Sequence, residues 1–282
     1  FSGKELARRA RLVVIANEVD DADTASLLAA GVLAALRNWL NPKNAETPFL
    51  YDEQWGGMVS CGCDFDEQTQ KCTNNPQKDE CPNLGACGAD FGNGFYNDHH
   101  FHYGYFVYAA AVLAKGDAAW AARWAPAVTH LIRDIANPSD ADALYPPMRH
   151  KDWFVGHSWA GGLFPSASGR NQESTSEAVN AWYAIALFGE AIGDGRLALL
   201  GRTLLATEVR AAQTYWQVKE GSEIYPQPFA GHHLACIVWS TKVDYATWFG
   251  SNVEYLFGIQ MMPVTPVSEL LLDEEWLRQS LP

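Results

Sequence analysis

Apolar residues recur every three to four positions over most of the chain, and that spacing predicts a protein built largely of amphipathic helices. The first two span Glu5–Glu18 and Thr24–Leu40 around the acidic turn Asp20-Asp-Ala-Asp23, with Asp23 or Thr24 as N-cap and Asn41-Pro42 as the stop. Between Lys43 and Asn97 the periodicity vanishes. It returns from about Asp98 to Lys115 and from Ala118 to about Ala136, ending before Asn137-Pro138. Ser139–Gly169 is irregular again, threaded with Pro, Gly and Trp. Helices resume at Ser174–Ile192 and Arg196–Val218, divided by Gly193-Asp-Gly195. A strand-like piece at Leu234–Ser240 follows, and then two helical stretches at Asp244–Phe257 and Val267–Leu281.

Antiparallel helix pairs therefore alternate with long loops. Period-two strands are scarce, and neither a Gly-rich phosphate loop nor a βαβ rhythm appears. Repeated hairpins of this kind close into a toroid or stack as a solenoid, and the lack of a short fixed repeat disfavours the solenoid. The expected fold is all-α, an (α/α)6 toroid forming one domain over residues 1–282, with 43–97 as a cysteine-rich loop insert. Eight predicted helices against the twelve of a full toroid imply truncation at the C-terminal end. In such a fold the loops at one end line a cleft.

Composition narrows the partners. At 282 residues the chain can bury a large core, and no apolar run reaches the roughly 18–20 residues of a membrane span. A net charge of −13 without basic patches argues against nucleic acid and fits a neutral substrate. The aromatic residues (Trp 11, Tyr 11, Phe 13) are mostly core, but some on loops can serve as platforms for sugar faces. Cys61, Cys63, Cys72, Cys81 and Cys87 lie in one stretch that lacks the paired spacing of a zinc site, so disulfides and an oxidising compartment are expected. Cys236 is either the sixth partner or a buried thiol. The chain begins at Phe1 with no initiator Met or leader pattern and reads as a processed or excised piece, extracellular or in the cell wall, and monomeric.

Two carboxyl-bearing segments carry the candidate chemistry. In the first, Tyr96-Asn-Asp-His-His-Phe-His-Tyr-Gly-Tyr105, Asp98 opens a helix as an N-cap or, desolvated by the surrounding aromatics, as a proton donor. His102 lies four residues on, hence on the same face. The His99, His100 and His102 triplet lacks a completing ligand at a recognised spacing, so no metal and no cofactor is expected. In the second, Arg170-Asn-Gln-Glu-Ser-Thr-Ser-Glu177, Ser174 and Glu177 have the form of a capping box, which leaves Glu173 just outside the helix as a candidate base. Glu177 is one turn in, placed to hold either Glu173 or a sugar hydroxyl. Between them, Arg149–Gly162 offers Asp152, His157 and Trp159 on a loop, and Glu254 stands late in the chain. A proton donor with a water-activating carboxylate is the equipment for hydrolysing a sugar–sugar bond.

These stretches together resemble the endo-β-1,3-glucanases of glycoside hydrolase family 81. The likeness rests on Asn97-Asp-His-His-Phe-His-Tyr-Gly-Tyr105, His157-Ser-Trp-Ala-Gly161, Arg170-Asn-Gln-Glu-Ser-Thr-Ser-Glu-Ala-Val-Asn-Ala-Trp182, Lys242-Val-Asp-Tyr-Ala-Thr-Trp-Phe-Gly250 and Gly258-Ile-Gln-Met-Met-Pro-Val-Thr-Pro266, in the family's order. The resemblance implies an (α/α)6 toroid that cleaves internal β-1,3-glucosidic bonds with inversion and without metal, Asp98 as acid and Glu173 as base, their carboxyl groups roughly 6.5–9.5 Å apart. It implies supporting places for Glu177 and His102. The residues expected to contact sugar are Tyr96, His102, Tyr105, Asp152, His157, Trp159, Asn171 and Glu254. The family's N-terminal β-sandwich is expected to be absent, and its pattern does not account for the cysteine-rich insert. Two other readings remain: a glucan-binding fragment without turnover, and a toroidal hydrolase or lyase acting on another polysaccharide.

Overall fold

The computed structural model describes residues 2–41, 43 and 47–280; the expected stop at Pro42 and helix end at Leu281 lie outside them. Ten α-helices occur among the described residues: α1 (Ser2–Glu18), α2 (Ala22–Leu40), α3 (Pro82–Gly85), α4 (His99–Gly116), α5 (Ala118–Ala136), α6 (Thr175–Ala191), α7 (Gly195–Tyr215), α8 (Val253–Met261), α9 (Ser268–Leu271) and α10 (Glu274–Ser280). Several of the long ones begin on carboxylates. Asp21, rather than the expected Asp23 or Thr24, accepts the Thr24 N–H at the start of α2, because the helix opens at Ala22, two residues before the expected start at Thr24. Asp117 and Asp194 cap α5 and α7 in the same way.

Packing sorts these helices into two rows. α4 and α6 bury residues on every side, so neither can face solvent along its length. They pack against each other; α1 packs on α4, and α8 on α6. The partners α2, α5 and α7 lie outside, each against its hairpin mate. This in-and-out alternation is that of an (α/α) toroid, and the fold is all-α. The inner pair meets where Gly104 faces Ala181: a Cβ on Gly104 would lie 2.5 Å from the Ala181 Cβ and 2.6 Å from its Cα. Gly104→Val is therefore expected to destabilise the protein by about 3 kcal/mol, read as a fall in the urea midpoint. A midpoint unchanged from wild type would mean that the helices separate freely here.

The aperiodic stretches hold small hairpins. β1 (Phe49–Asp52) pairs with β2 (Gly57–Ser60), and β3 (Phe65–Asp66) with β4 (Lys71–Cys72). Disulfides Cys61–Cys81 and Cys63–Cys72 tie the insert together, leaving Cys87 as an exposed thiol and Cys236 as a buried one. A third sheet is ordered β5 (Asn171–Gln172), β6 (Ile237–Trp239), β7 (Val243–Asp244), and β5 leads directly into α6. It corrects the expected helix over Asp244–Phe257: the Cys236 N–H donates to the Asp244 carbonyl, drawing that end into the ladder, and the helix starts only at Val253. Likewise Val267–Leu281 is two short helices, because Asp273 accepts the Trp276 N–H and caps α10 afresh.

Candidate active site

Asp98 ends an irregular run and precedes α4. Its backbone is left-handed (φ 58°, ψ 17°), a conformation that costs a non-glycine residue energy and persists where surrounding contacts over-determine it. Those contacts are on both sides: the Asp98 N–H donates to the Ala160 carbonyl, and its own carbonyl accepts from His102 N–H. The side chain makes no capping bond. The N-cap alternative is thus set aside, and the carboxyl is left for the cleft.

Glu173 occupies the one-residue junction between β5 and Ser174, the N-cap of α6. Its Oε1 accepts the Trp248 backbone N–H at 2.9 Å, and its carbonyl accepts from the Gln260 side chain at 2.8 Å. Half of the capping box forms: Ser174 Oγ accepts the Glu177 N–H at 3.2 Å. The Glu177 carboxylate turns elsewhere, accepting from the Tyr105 hydroxyl at 2.7 Å and pairing with Lys4 Nζ at 3.0 Å.

Asp98, Glu173 and Glu177 line one cleft of about 360 Å³, together with His102, Tyr105 and Lys4. Three carboxyl groups around one hollow shape each other's protonation. Burial pushes the Asp98 carboxyl well above the carboxylate range, the charges of Glu177 and Glu173 push it further, and Lys4 opposes them. Burial and Glu177 also raise Glu173, to about 7, but the Trp248 N–H stabilises its ionised form. Among the described residues no such donor meets the Asp98 carboxyl. Asp98 is therefore the better proton holder and Glu173 the better proton acceptor. Burial lowers His102 to about 4, so it stands neutral in the cleft.

The other expected contact residues lie outside that lining. Tyr96 is buried with its hydroxyl donating to Asp52 and Arg149 over its ring. Trp159 donates to the Asp152 carboxylate, and His157 is buried against Trp159 and Trp216. Asn171 accepts the Ala160 and Gly161 N–H groups through its carbonyl. Glu254 is exposed in the first turn of α8. The loop residues among them act as a spacer: hydrogen bonds run from Asp98 through Ala160 to Asn171, two residues before Glu173. A buried ion pair of Lys151 and Glu208, with Ser158 and the Trp182 indole on the same carboxylate, anchors the spacer from behind. Sequence reasoning missed Lys4, Asp90 and Phe91 in the cleft lining. Lys4 sits on α1, far from Asp98 in the chain, with no local pattern to mark it.

The histidine triplet divides. Only His102 reaches the cleft; His99 and His100 are fully buried. His99 and His150 stand with Asp134 within metal-coordinating reach, all three buried. Yet both His99 nitrogens are committed, Nδ1 to Asp134 at 2.6 Å and Nε2 to the Asn93 carbonyl at 2.7 Å. Arg149 already supplies positive charge 3.6 Å from Asp134. The donor set fits a hydrogen-bonded core cluster rather than a metal centre.

Comparison with known proteins bears on the whole arrangement. The family model described as Glycosyl hydrolase family 81 C-terminal domain matches residues 1–281. A glucan endo-1,3-beta-D-glucosidase of Glycine max is 39% identical over 96% of this chain and 38% of its own length. A primary septum glucan endo-1,3-beta-D-glucosidase of Schizosaccharomyces pombe is 36% identical over 96% of this chain and 25% of its own. A solved structure of a glycoside hydrolase family 81 protein from Clostridium thermocellum, in mutant form, superposes with a TM-score of 0.81 at 33% identity, covering 99% of this chain and 37% of that one. The chain thus spans well under half the length of these relatives. By sequence and by fold alike, it belongs to glycosyl hydrolase family 81.

Proposed function

We propose that this chain carries the catalytic cleft of an endo-acting β-1,3-glucan hydrolase that inverts the anomeric centre. The observation that supports this most directly is a single cleft holding two carboxyl groups of unlike protonation, Asp98 and Glu173. Protonated Asp98 gives its proton to the glycosidic oxygen as the C1–O bond breaks. Glu173 takes a proton from the water whose oxygen bonds to C1 from the opposite face. Glu177 acts on both through its charge, and Tyr105 and Lys4 hold it in place. The relatives' names supply the β-1,3-glucan. Two disulfides and the septum enzyme among the relatives support action outside the cell or in its wall. No helix among the described residues is long and apolar enough to cross a membrane.

Reducing ends released from laminarin, with the anomer read by NMR, test this reading. The α-anomer should appear first. A first-formed β-anomer, an unsaturated product, or glucan retained without turnover would each overturn it, the last in favour of a binding fragment.

The kcat/KM profile should fall as pH drops through about 7, because the Glu173 carboxylate becomes protonated there. Lys4 lowers the proton affinity of both Glu173 and Asp98. Lys4→Met is therefore expected to move the acid limb to higher pH and reduce turnover several-fold at about pH 6. An unmoved limb would show that Lys4 only packs.

A further inference from the structure

The catalytic cleft does not end at the carboxylates. Ser2, Trp39, Ser60, Asp90 and Phe91 also border a second cavity of about 830 Å³, which runs over the cysteine-rich insert. We infer that this second cavity is an extension of the substrate groove, holding further glucosyl units of the same glucan chain through Asn38 of α2 and Asp64 of the insert. The inference rests on the reading of the cleft as glucan-hydrolysing and adds to it a length-determining site.

The chemistry of the lining selects the occupant. Among the described residues no Lys, Arg or His borders the cavity, so an anionic ligand finds no counter-charge. Hydroxyl, amide and carboxylate groups do border it, beside the Trp39 and Phe91 rings. Carboxylates and amides accept and donate to sugar hydroxyls, and aromatic faces take the apolar side of a pyranose. A neutral polyol chain meets all of these demands.

Construction of the wall favours a built surface over a gap between loops. The Ser60 hydroxyl donates to Asp90 at 2.9 Å, and the buried Asn83 amide donates to Ser60 at 2.6 Å. Cys63 and Cys72 of one disulfide border the cavity, holding the β3–β4 hairpin that begins just after Asp64. Asp90, Phe91 and Gly92 are successively left-handed (φ 45°, 58° and 81°), and this turn places Phe91 between the two cavities with its ring edge-on to His102. By contrast, the Asn38 and Asp64 side chains are exposed, and the described residues offer them no hydrogen-bond partner. They are the groups left over for a ligand.

The test measures kcat/KM and, independently, binding by calorimetry for laminari-oligosaccharides from trimer to octamer. It compares the unaltered chain with an Asn38→Ala/Asp64→Ala variant. Both residues lie outside the catalytic cleft, so the variant should turn over or bind the shortest substrates as wild type does. For the longest substrates it should lose about tenfold, the scale of two hydrogen bonds. A Cys63→Ser/Cys72→Ser variant should show the same length-selective loss. Equal behaviour of variant and wild type at every length, or a uniform loss at all lengths, overturns the inference. If the unaltered chain binds the oligosaccharides but cleaves none, the hydrolase reading fails while the calorimetric comparison still decides this one.

Discussion

Asp98→Asn is expected to lower kcat on laminarin by about a thousandfold while leaving the fold intact. The amide keeps the shape of the side chain and removes the proton that the leaving sugar oxygen needs. The same variant should lose far less on a β-laminari-oligosaccharide with a dinitrophenyl leaving group, which departs without protonation. That contrast separates proton donation from simple binding. Stability should move the other way. The folded carboxyl of Asp98 holds its proton more tightly than the unfolded one, so its contribution is full at acid pH and is lost as pH rises through the folded value. An amide does not titrate and carries no such loss, so the variant should melt above wild type at about pH 8. Equal impairment on both substrates would remove Asp98 from the acid role.

Glu173→Ala is expected to cost a comparable factor for the opposite reason: water would still bind, but nothing would accept its proton. Truncation opens space at the Trp248 N–H, where a small anion can sit. Azide, which needs no deprotonation, should restore part of the rate and yield an α-glucosyl azide, with nitrogen bonded to C1 on the face opposite the departing oxygen. The acid limb near pH 7 should vanish from the profile of the rescued reaction, since Glu173 is the group pushed up to about 7. A β-configured azide would mean that the base lies on the other face. Rescue of Asp98→Asn in place of Glu173→Ala would reverse the two roles.

Legibility differed from element to element. The long helices showed plainly because each has an apolar face repeating at the helical period, and Asp, Gly and Pro mark most of their ends. The segment after Lys242 misled because aromatic and apolar residues at helical spacing there serve a strand and the cleft wall instead. Trp248 and Phe249 line the cleft, so their periodicity answers to the cleft wall rather than to a helix face. Asp98 and Glu173 stand out in sequence through the residues crowded around them, and the fold brings both to one cleft. Asp152, His157, Trp159 and Asn171 look like contact residues in sequence, but they carry the hydrogen-bonded spacer between the two carboxyl-bearing turns.

The sequence by itself determined the helical class, the chemistry on offer and the disulfide-bearing insert, since periodicity, residue type and cysteine clustering are local properties of a chain. Only the tertiary structure decided that Lys4 of α1 neutralises Glu177, that Asp98 escapes capping, and that the Trp248 N–H holds Glu173. Each of these depends on which atoms meet between segments distant in the chain, and proton affinity follows from that meeting: burial and neighbouring charge, not residue type, separate an acid from a base.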